Sequence, residues 1–193
     1  MKKFLSILAT FALLGCATQT KEAPVVVPPV VTPSTPVVVQ PKIPPRIGLA
    51  LGGGAARGFA HVGVIQVLEE AGIRPSMVSG TSAGSLVAAL YASGKTGKQL
   101  QSVAETMEEA AFADWTLPLF NRGMLRGDAL ARYVNSQVGS RLIEQMVLPL
   151  GIVATDLNSG QSMLFQRGDT GTAVRASSAV PAVFQPVRIA SRE

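Results

Sequence analysis

The chain has 193 residues, enough for one domain of ordinary size with an N-terminal extension. Hydrophobic residues make up 47% and charged residues 15%, which excludes a disordered chain and fits a packed core. The formal charge of +5 comes without a Lys/Arg cluster and with one Trp and two Tyr, so there is no nucleic-acid footprint.

Residues 1–16 read as a targeting segment. Lys2 and Lys3 precede an apolar run from Phe4 to Leu14, which has signal-peptide length and is too short to span a bilayer as a helix. The run ends in Leu13-Leu14-Gly15-Cys16, which resembles the lipobox of bacterial lipoproteins. There the cysteine is acylated and becomes the first mature residue. The competing reading is an ordinary secretory signal with an incidental cysteine. Cys16 is the only cysteine, so no internal disulfide is possible. The expected organisation is a signal peptide at 1–15, lipidated Cys16 with a linker to residue 45, and a domain at 46–193. Ala17 stands where inner-membrane retention would show an Asp, so the resemblance points to a lipid anchor in the outer membrane, at its periplasmic face.

Between Ala23 and Pro45, prolines alternate with Val-Val-Val runs, a pattern that excludes a helix and favours an extended spacer. Order is expected from Arg46. Ile47 to Leu51 is a short apolar run suited to a buried parallel strand, followed by the loop Gly52 to Gly58. Phe59 to Ala71 reads as a helix with Val62, Ile65 and Leu68 on one stripe and Gly72 as its cap. A second strand around Met77 to Ser79 runs into Gly80, and an apolar helix covers Leu86 to Tyr91. Leu100, Val103, Ala104, Met107 and Ala111 mark an amphipathic helix, and Asp128 is read as the N-cap of a helix to about Val138. Leu150–Thr155 and Ser162–Phe165 read as strands joined by the turn Asn158-Ser159-Gly160. Asp169 or Thr170 then caps a short helix through Arg175. Alternating strands and helices with short connections predict an α/β fold around a mostly parallel sheet.

Gly80-Thr81-Ser82-Ala83-Gly84 fits G-x-S-x-G between a strand and a helix, the context in which a sharp turn lifts the serine out of the sheet. The free N–H groups and dipole of the following helix favour negative charge beside Ser82. The preceding strand–loop–helix unit presents bare amides, so Gly53, Gly54, Arg57 and Gly58 are the oxyanion-loop candidates. Arg57 is read as holding the loop. Gly80, Thr81, Ala83 and Gly84 complete the nucleophile elbow.

Gly52-Gly53-Gly54-Ala55-Ala56-Arg57-Gly58, His61-Val62-Gly63-Val64 and Gly-Thr-Ser-Ala-Gly at 80–84 resemble the patatin-like phospholipase family. So do Arg175-Ala176-Ser177-Ser178, Pro181 and Phe184-Gln185-Pro186-Val187, and the likeness covers residues 46–193. The resemblance implies a three-layer α/β/α fold and hydrolysis of lipid acyl esters by a Ser–Asp dyad. It implies no cofactor or metal, and a lipid or phospholipid as substrate. The family's catalytic Asp lies in an Asp-Gly motif shortly beyond the matching Pro-Val. None of Asp114, Asp128, Asp156 and Asp169 is followed by Gly, so the domain is expected to be incomplete at its C-terminus and residues 1–193 alone nearly inactive.

His61, the only histidine, is read as structural, and Asp156 as a turn cap. Phe112, Trp115, Leu117, Leu119 and Phe120 are read as packing under a loop, with a lipid-facing lid as the alternative. Nucleotide binding is the main rival function, but Phe59-Ala60 follows Gly58 where a P-loop needs Lys and Ser/Thr, and Arg57 replaces the last Gly of a dinucleotide fingerprint. The other rival is a lipid-binding lipoprotein that keeps the fold without its chemistry.

Overall fold

Short apolar runs bounded by glycine form the centre of the molecule. A computed structural model describes residues 45–107 and 123–189. Strand β1 is Gly48–Leu51, β2 is Met77–Thr81 and β4 is Leu150–Thr155; they lie side by side and parallel. Strand β5, Ser162–Phe165, returns antiparallel along β4 and closes the sheet in the order β1-β2-β4-β5. This is the mostly parallel sheet expected, with β4 and β5 at the predicted limits. A second small sheet pairs β3, Gly123–Leu125, in parallel with β6, Ala182–Phe184. Nothing in the sequence pattern pointed to these strands.

Helix α1 spans Ala60–Glu70 and is preceded by a 3₁₀ turn over Ala55–Phe59, where the sequence suggested loop up to Gly58 and helix from Phe59. Its end is a Schellman closure: Ile73 N–H reaches the Leu68 carbonyl at 2.8 Å and Gly72 N–H the Glu69 carbonyl at 3.0 Å. Helix α2, Ala83–Ala92, starts earlier than its apolar run suggested. Ala88, Ala89 and Ala92 are fully buried, and their small side chains let the helix lie close on the sheet. Helix α3, Gly97–Glu105, opens with a capping box between Thr96 and Gln99; the expected extension to Ala111 lies outside the described residues, as does the aromatic cluster of residues 112–120.

Helix α4 is Asp128–Gln137 and α5 is Thr170–Ser177. Asp169 caps α5 by accepting from Thr172 N–H at 2.7 Å. Burial pushes its carboxyl up, but hydrogen bonds from Thr172 and Asn135 outweigh that and hold it below the usual range. For α4 the sequence reading needs correction. The N-cap is Gly127, left-handed at φ 79°, and Asp128 is the first helical residue. The Asp128 carboxylate is drawn to Arg175 Nη1 at 2.7 Å, a partner on α5 that local sequence cannot reveal.

Along the strands, Leu51, Val78, Leu150 and Ile152 point into one core with Ile65 of α1 and Leu86 and Leu90 of α2. The sheet order β1-β2-β4 follows chain order, and α1 and α2 both pack into this one core. The alternate positions Ala50, Met77, Ser79, Gly151 and Leu164 line an open groove on the other face.

Candidate active site

The carboxyl ends of β1 and β2 carry the glycine-rich turns, and both lead into helices. Ser82 stands between β2 and α2 at φ 52°, ψ −126°, a region that a Cβ disfavours. Its carbonyl is already committed to the helix: Ser85 N–H, Leu86 N–H and Ser85 Oγ approach it at 2.8, 3.2 and 2.6 Å. The elbow glycines are fixed by contact. A Cβ on Gly80 would fall on the Gly84 carbonyl, and one on Gly84 would fall on the Leu51 carbonyl. These contacts clamp the start of α2 between the ends of β1 and β2. Thr81 is exposed, and Ala83 packs against Gly58, whose own Cβ would lie 2.6 Å from the Ala83 methyl.

The loop after β1 lies beside this elbow. A Cβ on Gly53 would be 3.3 Å from Ser82 Cβ and 4.0 Å from Ser82 Oγ, so the loop backbone runs next to the hydroxyl. Gly54 turns the chain at φ 157°, and its carbonyl accepts from Arg57 N–H at 3.0 Å. The structure therefore brings Gly53 beside Ser82 and Gly58 beneath Ala83, while the Arg57 amide is engaged inside its own turn. The Arg57 residue itself is exposed.

His61 Nε2 meets the Gly52 carbonyl at 2.8 Å, so this ring pins the loop from the first turn of α1. Asp156 Oδ1 accepts from Asn158 N–H at 3.0 Å, Ser159 N–H at 2.9 Å and Ser159 Oγ at 3.0 Å, the geometry of a turn cap. Asp128 and Asp169 are engaged at helix starts, as described. Among the described residues no His/Cys/Asp/Glu cluster could hold a metal. Sequence reasoning missed Ser177, whose Oγ accepts the Ser82 N–H at 2.7 Å from a position 95 residues away.

A cavity of about 360 Å³ opens against Ser82. Phe59, Leu86, Val87, Met107, Leu130 and Phe184 supply much of its wall, with Ala55, Ala56 and Gly58 at the loop side. The site thus joins a hydroxyl at a strained turn, a glycine backbone beside it and an apolar cavity, an arrangement able to hold a long hydrocarbon next to a nucleophile. Residues 1–44, including Cys16, lie outside the described residues. Among the described residues no helix is long and apolar enough to cross a membrane.

An uncharacterised NTE family protein of Mycobacterium tuberculosis is 37% identical over 161 residues, covering 77% of this chain and 41% of its own length. Patatin-like phospholipase domain-containing protein 6 of Mus musculus is 34% identical over 147 residues, covering 73% of this chain and 11% of its own. The chain spans 41% or less of the length of these curated relatives. Among solved structures, VipD from Legionella pneumophila superposes with a TM-score of 0.61 at 18% identity, over 77% of this chain and 45% of that one. ExoU of Pseudomonas aeruginosa, in its complex with SpcU from the type III secretion system, gives 0.56 at 19% identity, over 72% and 39%. At such identity the likeness is one of fold, and it is the α/β fold expected. A family profile described as patatin-like phospholipase matches residues 49–193, and the chain belongs to that family.

Proposed function

We propose that this chain carries the nucleophile half of a serine lipid acyl hydrolase, of the phospholipase A or lysophospholipase type. The observation that carries the reading is Ser82 at its elbow, with the Gly53 backbone on one side and an apolar cavity on the other. The acyl chain of a lipid or phospholipid occupies the cavity, and burial of its methylenes supplies the binding energy. Ser82 Oγ attacks the ester carbonyl as a base takes its proton. The oxyanion is received by N–H groups of the glycine loop, with Gly53 and Gly54 better placed than Arg57, whose N–H is engaged by Gly54. The ester C–O bond then breaks, the alcohol leaves with the proton, and water hydrolyses the acyl-serine.

In this reading the base is an Asp of an Asp-Gly motif that residues 1–193 do not contain. His61 and the described Asp side chains support this by their engagement elsewhere. The decisive experiment extends the polypeptide through such a motif, then compares it and its Ser82→Ala form. Fluorophosphonate labelling and fatty-acid release from phosphatidylcholine vesicles should both vanish in the variant; persistence of either removes Ser82 from the role. Equal hydrolysis by residues 1–193 alone would remove the external Asp.

The same proposal places the protein at the periplasmic face of the outer membrane through a lipid on Cys16, supported by the lipobox-like sequence. Cys16→Ser should shift the protein from the membrane fraction to the soluble one, and an unchanged partition would rule out the anchor.

A further inference from the structure

The parallel ladder between β2 and β4 has a definite continuation at Ser82. Val78, opposite Leu150, donates its N–H to the Pro149 carbonyl at 2.9 Å. A parallel pattern repeats this bond every second residue, and Thr81 still stands opposite Val153. The pattern thus runs from Gly80 N–H to the Gly151 carbonyl and then from Ser82 N–H to the Val153 carbonyl. This last bond is not made directly. Both groups are bound by one oxygen: Ser177 Oγ accepts from Ser82 N–H at 2.7 Å and donates to the Val153 carbonyl at 2.5 Å.

A hydroxyl is suited to this place because it both donates and accepts. Inserted between the strands, it separates them by one oxygen while leaving neither backbone group unsatisfied. That separation lets β2 leave the sheet for the sharp turn at φ 52°, ψ −126°. A direct ladder bond would hold Ser82 at strand distance from β4. The same bond commits the Ser82 N–H, which therefore takes no part in receiving an oxyanion. Ser177 ends α5, so the elbow is tied to an element 95 residues further along the chain.

We infer that Ser177 is a positioning residue for Ser82, its hydroxyl replacing one β-ladder bond so that the nucleophile is held at its elbow. The inference rests on Ser82 being the nucleophile, and the test separates the two. In the polypeptide extended through an Asp-Gly motif, fluorophosphonate labelling is measured as a function of probe concentration for the wild type, Ser177→Ala and Ser177→Thr. Absence of labelling in the wild type would overturn the nucleophile reading and this inference with it. With the wild type labelled, Ser177→Ala should lower the maximal labelling rate by roughly 100-fold, the scale of a misplaced reacting atom, with little change in half-saturation. Ser177→Thr, which keeps the hydroxyl, should label close to the wild-type rate. Amide exchange at Ser82 should quicken in the Ala variant and stay slow in the Thr variant, a readout that general loosening of α5 would not confine to one amide. Wild-type labelling by Ser177→Ala, or a Thr variant as slow as Ala, overturns the inference. If the Ala variant fails to fold, Ser177→Cys decides, because its thiol fills the space with a weak acceptor: slow labelling supports the role and wild-type labelling overturns it.

Discussion

The turn after β1 and the turn after β2 both join a parallel strand to a helix through glycine, yet they are held in opposite ways. In the turn after β2, Gly80 and Gly84 sit where a Cβ would enter a backbone carbonyl, and the strained residue between them is a serine. In the turn after β1, Gly52 has nothing within 4 Å of its Cβ position, and Gly53 faces Ser82 at 3.3 Å and the Thr81 carbonyl at 3.6 Å. One turn is locked by packing so that a side chain can be displayed. The other is open at Gly52 and close-packed only at its end, where Gly58 meets Ala83. Glycine therefore has different meanings at the two places: at Gly80 and Gly84 it is a steric demand of the fold, at Gly52 and Gly53 it leaves the backbone uncovered beside Ser82.

That contrast breaks most visibly at Gly84. Gly84→Ala should cost several kcal/mol, a large share of the roughly 5–15 kcal/mol that stabilises a domain, because neither Leu51 nor Gly52 can yield its carbonyl. Loss of the cooperative unfolding transition by circular dichroism is the expected result, and a folded variant would show that the elbow is not locked. Gly53→Ala should behave differently: the protein folds with its melting temperature little changed, while fluorophosphonate labelling falls by roughly 10²-fold as the new methyl crowds the oxyanion position. A drop in stability without a drop in labelling would reverse the assignment of the two turns. The smallest effect sharpens the comparison. Ser82→Gly should abolish labelling yet raise stability by about 1 kcal/mol, since glycine relieves the strained φ and ψ of that position. Denaturant unfolding measures it, and an unchanged midpoint would mean that the elbow stores no strain.

Much of this was legible because glycine and short apolar runs are local signals. Gly80-Thr81-Ser82-Ala83-Gly84 announces its turn by type and spacing, and Leu150–Thr155 with Ser162–Phe165 shows strand limits through the Asn158-Ser159-Gly160 turn. What escaped depends on residues far apart in the chain. Asp128 has the composition of an N-cap, but Arg175 captures its carboxylate and Gly127 takes the cap position. Strands β3 and β6 are too short for any periodicity, and each exists only because the other pairs with it. The 3₁₀ turn at Ala55–Phe59 reads as loop because its small residues carry no stripe. Ser177 lies within Arg175-Ala176-Ser177-Ser178, yet its contact with Ser82 crosses 95 residues and leaves no local trace.

That separation also has a temporal meaning. Contacts between α2 and the ends of β1 and β2 close over short stretches of chain, whereas the Ser82–Ser177 bond must close a loop of 95 residues, and loop-closure entropy disfavours its early formation. A ribosome or a translocon delivers the serine well before it delivers α5. Until α5 docks, the Ser82 N–H lacks the Ser177 hydroxyl that links it to β4. If Ser82 is the nucleophile proposed above, the appearance of a reactive serine would report the docking of α5.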